Sequence, residues 1–379
     1  MPSANRDGAG ATIPRSEVAK CRQQAVRKLL MSAKPLNVWC VLDRKPGHRS
    51  LARGMVAAIG TARPVAVTEV SAAPWISPVG KCLQFIWPCA TRLAVAACPS
   101  QPHDDSGPDL IVSSGGNVLW FTAALARTLR SPSVFVGSRR HLPIDAVSAF
   151  VHYDPSLERE GTLCVPLLPG PAGPKEQGIA WGLFADDRGL DPCRRRLVAL
   201  IGGNGGGYRW DDLDGHRLGQ AMRMWHESTG REWLVTTSRR TPKRLESALR
   251  EELPRSAIAD ACWFHAGDRR RVVSAYLGGA DAVFVGEDSG SMIHEALSSG
   301  RPVITLRPRQ AQPPSAHRDY LDTACKRGWL AMLPLEHAQD FNAGTLWDRG
   351  LGYPGDPMAE IGRMLLDHLA QRGHTFGTS

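Results

Sequence analysis

Short apolar runs alternate with amphipathic stretches along most of the chain, beginning at Leu36. Uninterrupted apolar runs of about four to eight residues predict buried strands, and apolar residues spaced three or four apart predict helices between them. This alternation is typical of an α/β fold with parallel strands. The predicted strands are 38–42, 64–70, 110–112, 133–136, 146–151, 196–201, 232–235, 262–265, 282–285 and 303–306.

A change in composition divides this pattern into two halves. Residues 166–178 contain four prolines and three glycines, which is typical of a linker between domains. We therefore predict an α/β protein of two Rossmann-like, doubly wound domains that face each other across a cleft. The predicted parts are a basic, disordered extension (1–35), an N-terminal domain that takes the acceptor (36–168), a linker (169–180), a C-terminal domain that takes the nucleotide (181–355) and a C-terminal helix (356–379) that packs back on the N-terminal domain.

Charge and cysteine content narrow the classes of function. The formal net charge is +9, but the seven basic and two acidic residues of 1–35 account for +5 of it, which argues against nucleic-acid binding by the body of the chain. The nine cysteines form no C-x-x-C pair, so we expect reduced thiols in a cytoplasmic protein and no zinc site. Met31 is an alternative start of translation, because the ordered pattern begins only after it.

The segment 75–98 combines several large apolar residues with Lys81 and Arg92, and Pro78 and Pro88 interrupt it. It falls short of the roughly 18 apolar residues of a membrane span. An apolar surface with basic residues at its rim suits docking on anionic lipid, whereas the same residues also suit a helix of the core. Both interpretations stay open, and the first predicts a peripheral protein at the inner face of the cytoplasmic membrane.

The densest group of candidate ligand-binding residues lies between a predicted strand and a predicted helix. Ser289 and Ser291, with the backbone N–H groups of a helix start, suit a diphosphate. The carboxylates of Glu287 and Glu295 suit the hydroxyls of a sugar. Helix capping by Ser289 is the alternative, but it does not explain both serines, both glutamates and Asp288 together.

Two further loops follow predicted strands of the second half. Residues 202–207 contain five glycines, which allow a ligand to approach the backbone, but they lack the Lys-Ser/Thr of a P-loop, so ATPase chemistry is excluded. The guanidinium groups of Arg239 and Arg240 match phosphate oxygens. A flexible turn and a solvated charged loop are the respective alternatives. From these two loops, the predicted nucleotide-sugar site takes Gly203, Asn204, Ser238, Arg239, Arg240 and Thr241.

In the first half, Asp43 and His48 follow the first predicted strand. Histidine is the side chain best suited to proton transfer near neutral pH, so His48 is a candidate general base. Asp43 orients it unless Asp43 is the base itself; a solvated surface histidine is the alternative. This turn lacks the G-x-G-x-x-G that a nicotinamide cofactor requires. The D-x-D at 212–214 matches a metal–diphosphate motif, but acidic residues at a helix start simply complement its dipole, so no metal is expected. The predicted acceptor-side residues are Gly47, Ser114, Gly115, His152 and Asp154.

Five motifs occur in one order between Leu36 and Leu306, namely D-x-K-P-G-H (43–48), H-x-D (152–154), I-G-G (201–203), T-S-R-R-T-P (237–242) and E-D-S-x-S-M-x-x-E-A (287–296). Together they resemble the mitochondrial fission ELM family, a group of GT-B-like proteins related to glycosyltransferases. The resemblance implies that Glu295 holds a ribose, that Ser289 and Ser291 hold a diphosphate, and that Arg239 and Arg240 hold phosphates. Leu51 stands where the family has Gln, and the family's H-D pair is split by Tyr153; both departures lie in the acceptor half.

Three functions are compatible with these residues. The first is a metal-independent glycosyltransferase that moves a sugar from a nucleotide-diphosphate sugar to an envelope or lipid-linked acceptor, such as an intermediate of lipopolysaccharide synthesis. The second is a nucleotide-sugar epimerase on the same scaffold, which needs no acceptor. The third is a non-catalytic fission or interaction protein. No cofactor is expected besides the nucleotide sugar, which is a substrate.

Overall fold

A computed structural model describes residues 34–71, 107–140 and 142–376 of the chain. Most of the predicted basic extension and the whole apolar segment 75–98 lie outside these residues. Within the described ranges, no helix combines the length and the hydropathy that crossing a bilayer requires.

The described residues form two six-stranded parallel sheets with helices between the strands, and one two-stranded antiparallel sheet. The strands are β1 (Leu36–Leu42), β2 (Val65–Ser71), β3 (Leu110–Ser114), β4 (Ser133–Val136), β5 (Ala149–His152), β6 (Thr162–Cys164), β7 (Arg196–Ile201), β8 (Tyr208–Arg209), β9 (Glu232–Thr237), β10 (Ile258–Cys262), β11 (Ala282–Gly286), β12 (Val303–Arg307), β13 (Gln310–Ala311) and β14 (Ala331–Pro334). The α-helices are α1 (Pro46–Ala62), α2 (Leu119–Leu129), α3 (Pro174–Arg188), α4 (Asp212–Thr229), α5 (Lys243–Glu252), α6 (Val273–Gly278), α7 (Gly290–Leu297), α8 (Ser315–Lys326) and α9 (Pro357–Gln371).

The order of the strands decides where a ligand can bind. The first sheet has the order β2-β1-β3-β4-β5-β6 and the second has the order β10-β9-β7-β11-β12-β14. In the first sheet the chain adds β2 on one side of β1 and then places β3 on the other side. In the second sheet it adds β9 on one side of β7 and then places β11 on the other side. Loops at the carboxyl ends of such strands separate and leave a crevice, which is the usual ligand site of doubly wound sheets. The predicted class, an α/β fold with two doubly wound halves, is confirmed.

The segment predicted as a linker, residues 169–180, is helical from Pro174, where proline begins α3 and the Gly173 N–H donates to the Glu176 carboxylate. Two local predictions are wrong. The strand predicted for residues 262–265 ends at Cys262, and a 3₁₀ turn follows because the Phe264 N–H donates to Thr237 Oγ1 at 2.8 Å. A loop was expected for residues 43–48, but Pro46 begins α1.

Two helices, one at the chain's midpoint and one at its end, pack on different halves of the molecule. The helix α9 packs on α1 so closely that a Cβ on Gly362 would lie 2.1 Å from the Ala58 carbonyl oxygen. The helix α3 packs on α6, where a Cβ on Gly278 would lie 2.0 Å from the Gln177 carbonyl oxygen. The C-terminal helix therefore lies on the first half, and α3 lies on the second. The domain boundaries themselves stay a prediction.

Candidate functional site

At the carboxyl end of β1, Asp43 and His48 form a hydrogen-bonded pair. The Nδ1 atom of His48 lies 2.5 Å from Oδ2 of Asp43, whose side chain is fully buried, whereas His48 is about one-third exposed. Burial by itself would raise the pKa of Asp43, but hydrogen bonds from His48, Asn117 and the Arg44 N–H outweigh it and hold that pKa below its usual value. A carboxylate held in its charged form can fix the tautomer and orientation of the imidazole, which leaves Nε2 to accept a proton.

Gly115 brings the end of β3 against this pair. A Cβ on Gly115 would lie 2.2 Å from Asp43 Oδ2 and 2.3 Å from His48 Nδ1, and the residue has a positive φ of 103°. Asn117 in the same loop donates its Nδ2 to Asp43 Oδ1 at 3.1 Å. A cavity of about 210 Å³ opens beside His48 and is lined by the ends of β3 and β4. The pair thus adjoins a space that a second molecule can enter.

The other predicted acceptor-side residues differ in their relation to His48. Gly47 directly precedes His48 in the chain, and Ser114 lines the same cavity while its hydroxyl donates to the Val136 carbonyl oxygen. His152 is buried, neither of its ring nitrogens has a hydrogen-bond partner in the described part of the chain, and burial lowers its pKa. Asp154 caps the turn at Ser156 and lines a separate cleft of about 580 Å³. Of the predicted acceptor-side residues, Gly47, Ser114 and Gly115 therefore accompany the Asp43–His48 pair.

In the second half, the glycine loop after β7 encloses the carboxylate of Asp288. A Cβ on Gly202 would lie 2.2 Å from Asp288 Oδ2, which also accepts the Gly203 N–H at 2.9 Å. The indole of Trp210 donates to the other carboxylate oxygen, Oδ1, at 3.1 Å, and Nη2 of Arg240 from the neighbouring loop forms an ion pair with Oδ2 at 2.9 Å. Burial raises the pKa of Asp288, against the effect of Arg240 and these donors. The side chain of Asp288 is thus an internal brace that shapes the loop.

The loop after β9 carries two bracing residues and two exposed cations. Ser238 Oγ donates to the Gly202 carbonyl oxygen at 2.6 Å, and Thr241 Oγ1 donates to the same atom. The Asn204 N–H donates to the Arg240 carbonyl oxygen at 3.1 Å, so the two loops are joined through their backbones. Arg239 and Arg240 are exposed at the surface of this joined unit, where phosphate oxygens can reach them.

The structure changes the interpretation of Glu287. Its carboxylate is fully buried and accepts Nε and Nη2 of Arg307 at 2.6 and 2.9 Å, and its carbonyl oxygen contacts His317 Nε2 at 2.9 Å. Of the two glutamates predicted to bind a sugar, Glu287 therefore has an internal cationic partner and supports the loop after β11.

Glu295 lies on the second turn of α7 and packs against the segment at Gly170, which in turn contacts α1. A Cβ on Gly170 would lie 3.1 Å from Glu295 Cγ, and the carbonyl oxygens of Pro169 and Gly170 lie against Gly54 of α1. In the described residues its carboxylate has no hydrogen-bond or ion-pair partner, and burial raises its pKa to about 7. Ser289 is the N-cap residue of α7 without a side-chain cap bond, and Ser291 is exposed in the first turn. Ser291 is therefore open to a ligand, whereas Ser289 is buried and Glu295 is partly buried.

The D-x-D sequence is part of a helix cap. Asp211 is the N-cap residue of α4, and its carboxylate and that of Asp214 reciprocally accept backbone N–H groups at 2.9 and 3.1 Å. Asp214 is buried and also accepts the Arg309 N–H, while Asp212 is exposed. Across the described ranges, no three His, Cys, Asp or Glu side chains converge as metal ligands.

Sequence reasoning missed several residues that shape the site. The local sequence does not predict that Arg140, Trp210 and Arg307 contribute to the site. Each reaches it only because strands distant in sequence pair with one another.

The fold is similar to that of several solved proteins. UDP-GlcNAc 2-epimerase from Neisseria meningitidis, bound to UDP-GlcNAc, matches with a TM-score of 0.54 and 10% identity over 89% of this chain and 100% of that chain. S. aureus MnaA in its co-structure with UDP matches with a TM-score of 0.51 and 11% identity over 90% and 98%. E. coli ADP-heptose lps heptosyltransferase II has a TM-score of 0.42 and 11% identity over 89% and 100%. At such identities the likeness concerns the fold alone.

No curated protein sequence matches the chain. A family model does: residues 182–349 match the family described as mitochondrial fission ELM1. The matched range contains the glycine loop, the loop with Arg239 and Arg240, and Glu295, which carry three of the five motifs. The resemblance seen in the sequence is therefore confirmed over residues 182–349, where the chain is similar to the mitochondrial fission ELM family.

Proposed function

We propose that this protein is a metal-independent glycosyltransferase that transfers a sugar from a nucleotide-diphosphate sugar to the hydroxyl of an acceptor. The observation that carries the proposal is the Asp43–His48 pair beside its own cavity in the first half. On this proposal the acceptor binds at that pair, and the donor binds at the phosphate-binding residue types of the second half.

The chemistry follows from these placements. Arg239, Arg240 and the N-terminus of α7 at Ser289 and Ser291 bind the diphosphate, whose negative charge increases as the sugar leaves. The carboxylate of Glu295 accepts hydrogen bonds from hydroxyls of the donor. Nε2 of His48 takes the proton of the acceptor hydroxyl, and Asp43 stabilises the imidazolium that forms. The acceptor oxygen then bonds to the sugar carbon as the bond to the nucleoside diphosphate breaks.

Epimerisation is the second candidate, and the similarity of the fold to a UDP-GlcNAc 2-epimerase bound to UDP-GlcNAc favours it. An epimerase has no acceptor, so the cavity beside His48 would have no occupant. Purified protein incubated with UDP-, GDP- and CMP-sugars separates the two. Released nucleotide supports transfer or hydrolysis, an altered sugar still attached to the nucleotide supports epimerisation, and unchanged sugars that also fail to bind support a non-catalytic interaction protein.

A lipid-linked acceptor at the inner membrane face is the finer part of the proposal. Its support is the sequence of residues 75–98, where tryptophans adjoin Lys81 and Arg92. Flotation with anionic liposomes tests it on a chain without residues 1–32, whose positive charge binds lipid by itself. We expect flotation that Phe85→Ser/Trp87→Ser abolishes; a chain that stays in the aqueous fraction at low salt contradicts docking by this segment.

A further inference from the structure

Arg140 lines the cavity that contains His48, and the mechanism above does not use it. Its guanidinium lies on the backbone of Gly116, so that a Cβ on Gly116 would be 2.5 Å from Arg140 Cζ. Arg140 also has a left-handed backbone with a φ of 52°, a conformation that residues other than glycine seldom adopt. The turn after β4 and the absence of a side chain at Gly116 together place this cation beside the Asp43–His48 pair.

The charge of Arg140 is not compensated by the protein. In the described part of the chain it has no ion pair or hydrogen bond, and none of the residues that line the cavity is acidic. The carboxylate of Asp43, which holds His48, is already occupied by His48 and Asn117. The neighbouring Arg139 behaves differently, since its Nη1 donates to the Leu142 carbonyl oxygen at 3.2 Å. Of these two adjacent arginines, only Arg140 is presented to a ligand.

We propose that Arg140 binds an anionic group of the acceptor, a phosphate or a carboxylate, and thereby places the acceptor's hydroxyl at His48. This inference rests on the proposed function and deepens it by naming the acceptor's chemical class. A guanidinium binds such anions through two parallel hydrogen bonds, which fix orientation as well as position. The cavity of about 210 Å³ is smaller than the roughly 300–1,000 Å³ of pockets that enclose whole ligands, so it suits one charged end of a larger acceptor.

The test titrates methyl phosphate and acetate while the ring signal of His48 is followed by NMR, that signal being identified by its loss in His48→Gln. Arg140→Gln removes the cation, and Gly116→Ala displaces it while keeping it in the chain. Arg139→Gln is the matched control. We expect methyl phosphate or acetate to shift the His48 signal in the wild type and the control, with an apparent Kd at least tenfold higher in Arg140→Gln and Gly116→Ala. The anion that binds more tightly identifies the acceptor's group.

Equal affinities of the wild type and Arg140→Gln for methyl phosphate and acetate would overturn the proposal. So would a shift of the His48 signal that saturating UDP abolishes in both proteins. The second result would mean that the anion occupies the donor's diphosphate site. A parallel titration with UDP keeps the two proposals apart. If the anion binds in a way that depends on Arg140 but no nucleoside diphosphate binds, the transferase proposal is contradicted and the anion site stands. If UDP binds but Arg140→Gln does not change anion binding, the anion site is contradicted and the transferase proposal stands.

Discussion

The Nδ1 atom of His48 lies 2.5 Å from the Asp43 carboxylate, whose other oxygen accepts the amide of Asn117 from the neighbouring strand end. Asp43→Asn removes the charge that stabilises the imidazolium, so we expect the rate of transfer to fall about 10²–10⁴-fold, the range that positioned general-base catalysis supplies. Steady-state rates on the donor identified by the sugar-nucleotide panel measure this. Asp145→Asn, an exposed carboxylate that precedes β5, is the control and should leave the rate unchanged.

The same pair predicts how stability changes with acid. Because the pKa of Asp43 is lower in the folded state than in the unfolded state, its contribution is fully present above about pH 4 and is lost as the pH falls through the folded-state pKa. The free energy of unfolding, measured with urea between pH 2 and 7, should therefore fall less steeply towards low pH in Asp43→Asn than in the wild type. The same pH dependence in both proteins would show that Asp43 is not held in its charged form.

Gly115→Ala tests the packing of the dyad. The added Cβ would lie within 2.3 Å of both Asp43 and His48, at a φ that alanine seldom adopts. We expect activity to be lost through displacement of His48, together with about 1 kcal/mol or more of stability. Gly182→Ala is the control, because no atom lies within 4 Å of that Cβ position. Full activity in Gly115→Ala would mean that the dyad need not hold this geometry.

Glu295→Gln should affect stability and binding in opposite directions. Its folded-state pKa of about 7 lies above that of an unfolded glutamate, so wild-type stability falls as the pH rises from about 4.5 to 7. The variant lacks this loss, and its Tm should exceed that of the wild type at pH 8 but not at pH 4. Calorimetric titration with UDP should show weaker binding to the variant. An unchanged affinity for UDP would show that Glu295 does not bind the donor and serves only the structure of α7.

Replacing Arg239 and Arg240 by alanine should weaken UDP binding far more than uridine binding, because charged hydrogen bonds to the diphosphate are worth about 1.5–3 kcal/mol each. The single variants should differ. Arg239→Ala should leave the Tm unchanged, whereas Arg240→Ala also removes the partner of the buried Asp288 and should lower the Tm. An equal loss for nucleoside and diphosphate would show that the two arginines bind something else.

We expect activity to survive EDTA, since Asp214 is engaged in capping α4 and in contacts with Arg309. The assay repeats the product analysis after dialysis against the chelator, with manganese and magnesium added back to separate samples. Loss of activity that either metal restores would return the D-x-D sequence to a metal-binding role.

Much of this molecule follows from the linear pattern of residues. Apolar runs such as Arg196–Ile201 are strands because their side chains are buried on both faces, and Asp212–Thr229 is a helix with an acidic cap and a terminal glycine, so both were predictable. Parallel strands separated by helices then require loops to meet at the carboxyl edge, which is why loops after β1, β7, β9 and β11 could be named as candidate sites. Their roles as binding and catalytic residues stay predictions.

Only the tertiary structure decided which side chains of those loops are available to a ligand. Glu287 and Glu295 look equivalent in sequence, but the first is neutralised by Arg307 from the adjacent strand, whereas the second packs against Gly170 and has no partner among the described residues. Arg139 and Arg140 are likewise indistinguishable until the turn after β4 folds one onto Leu142 and the other onto Gly116. Sequence fixes which residues stand at the strand ends by local periodicity, but the partner of a buried charge comes from the order of the strands, which no local pattern contains.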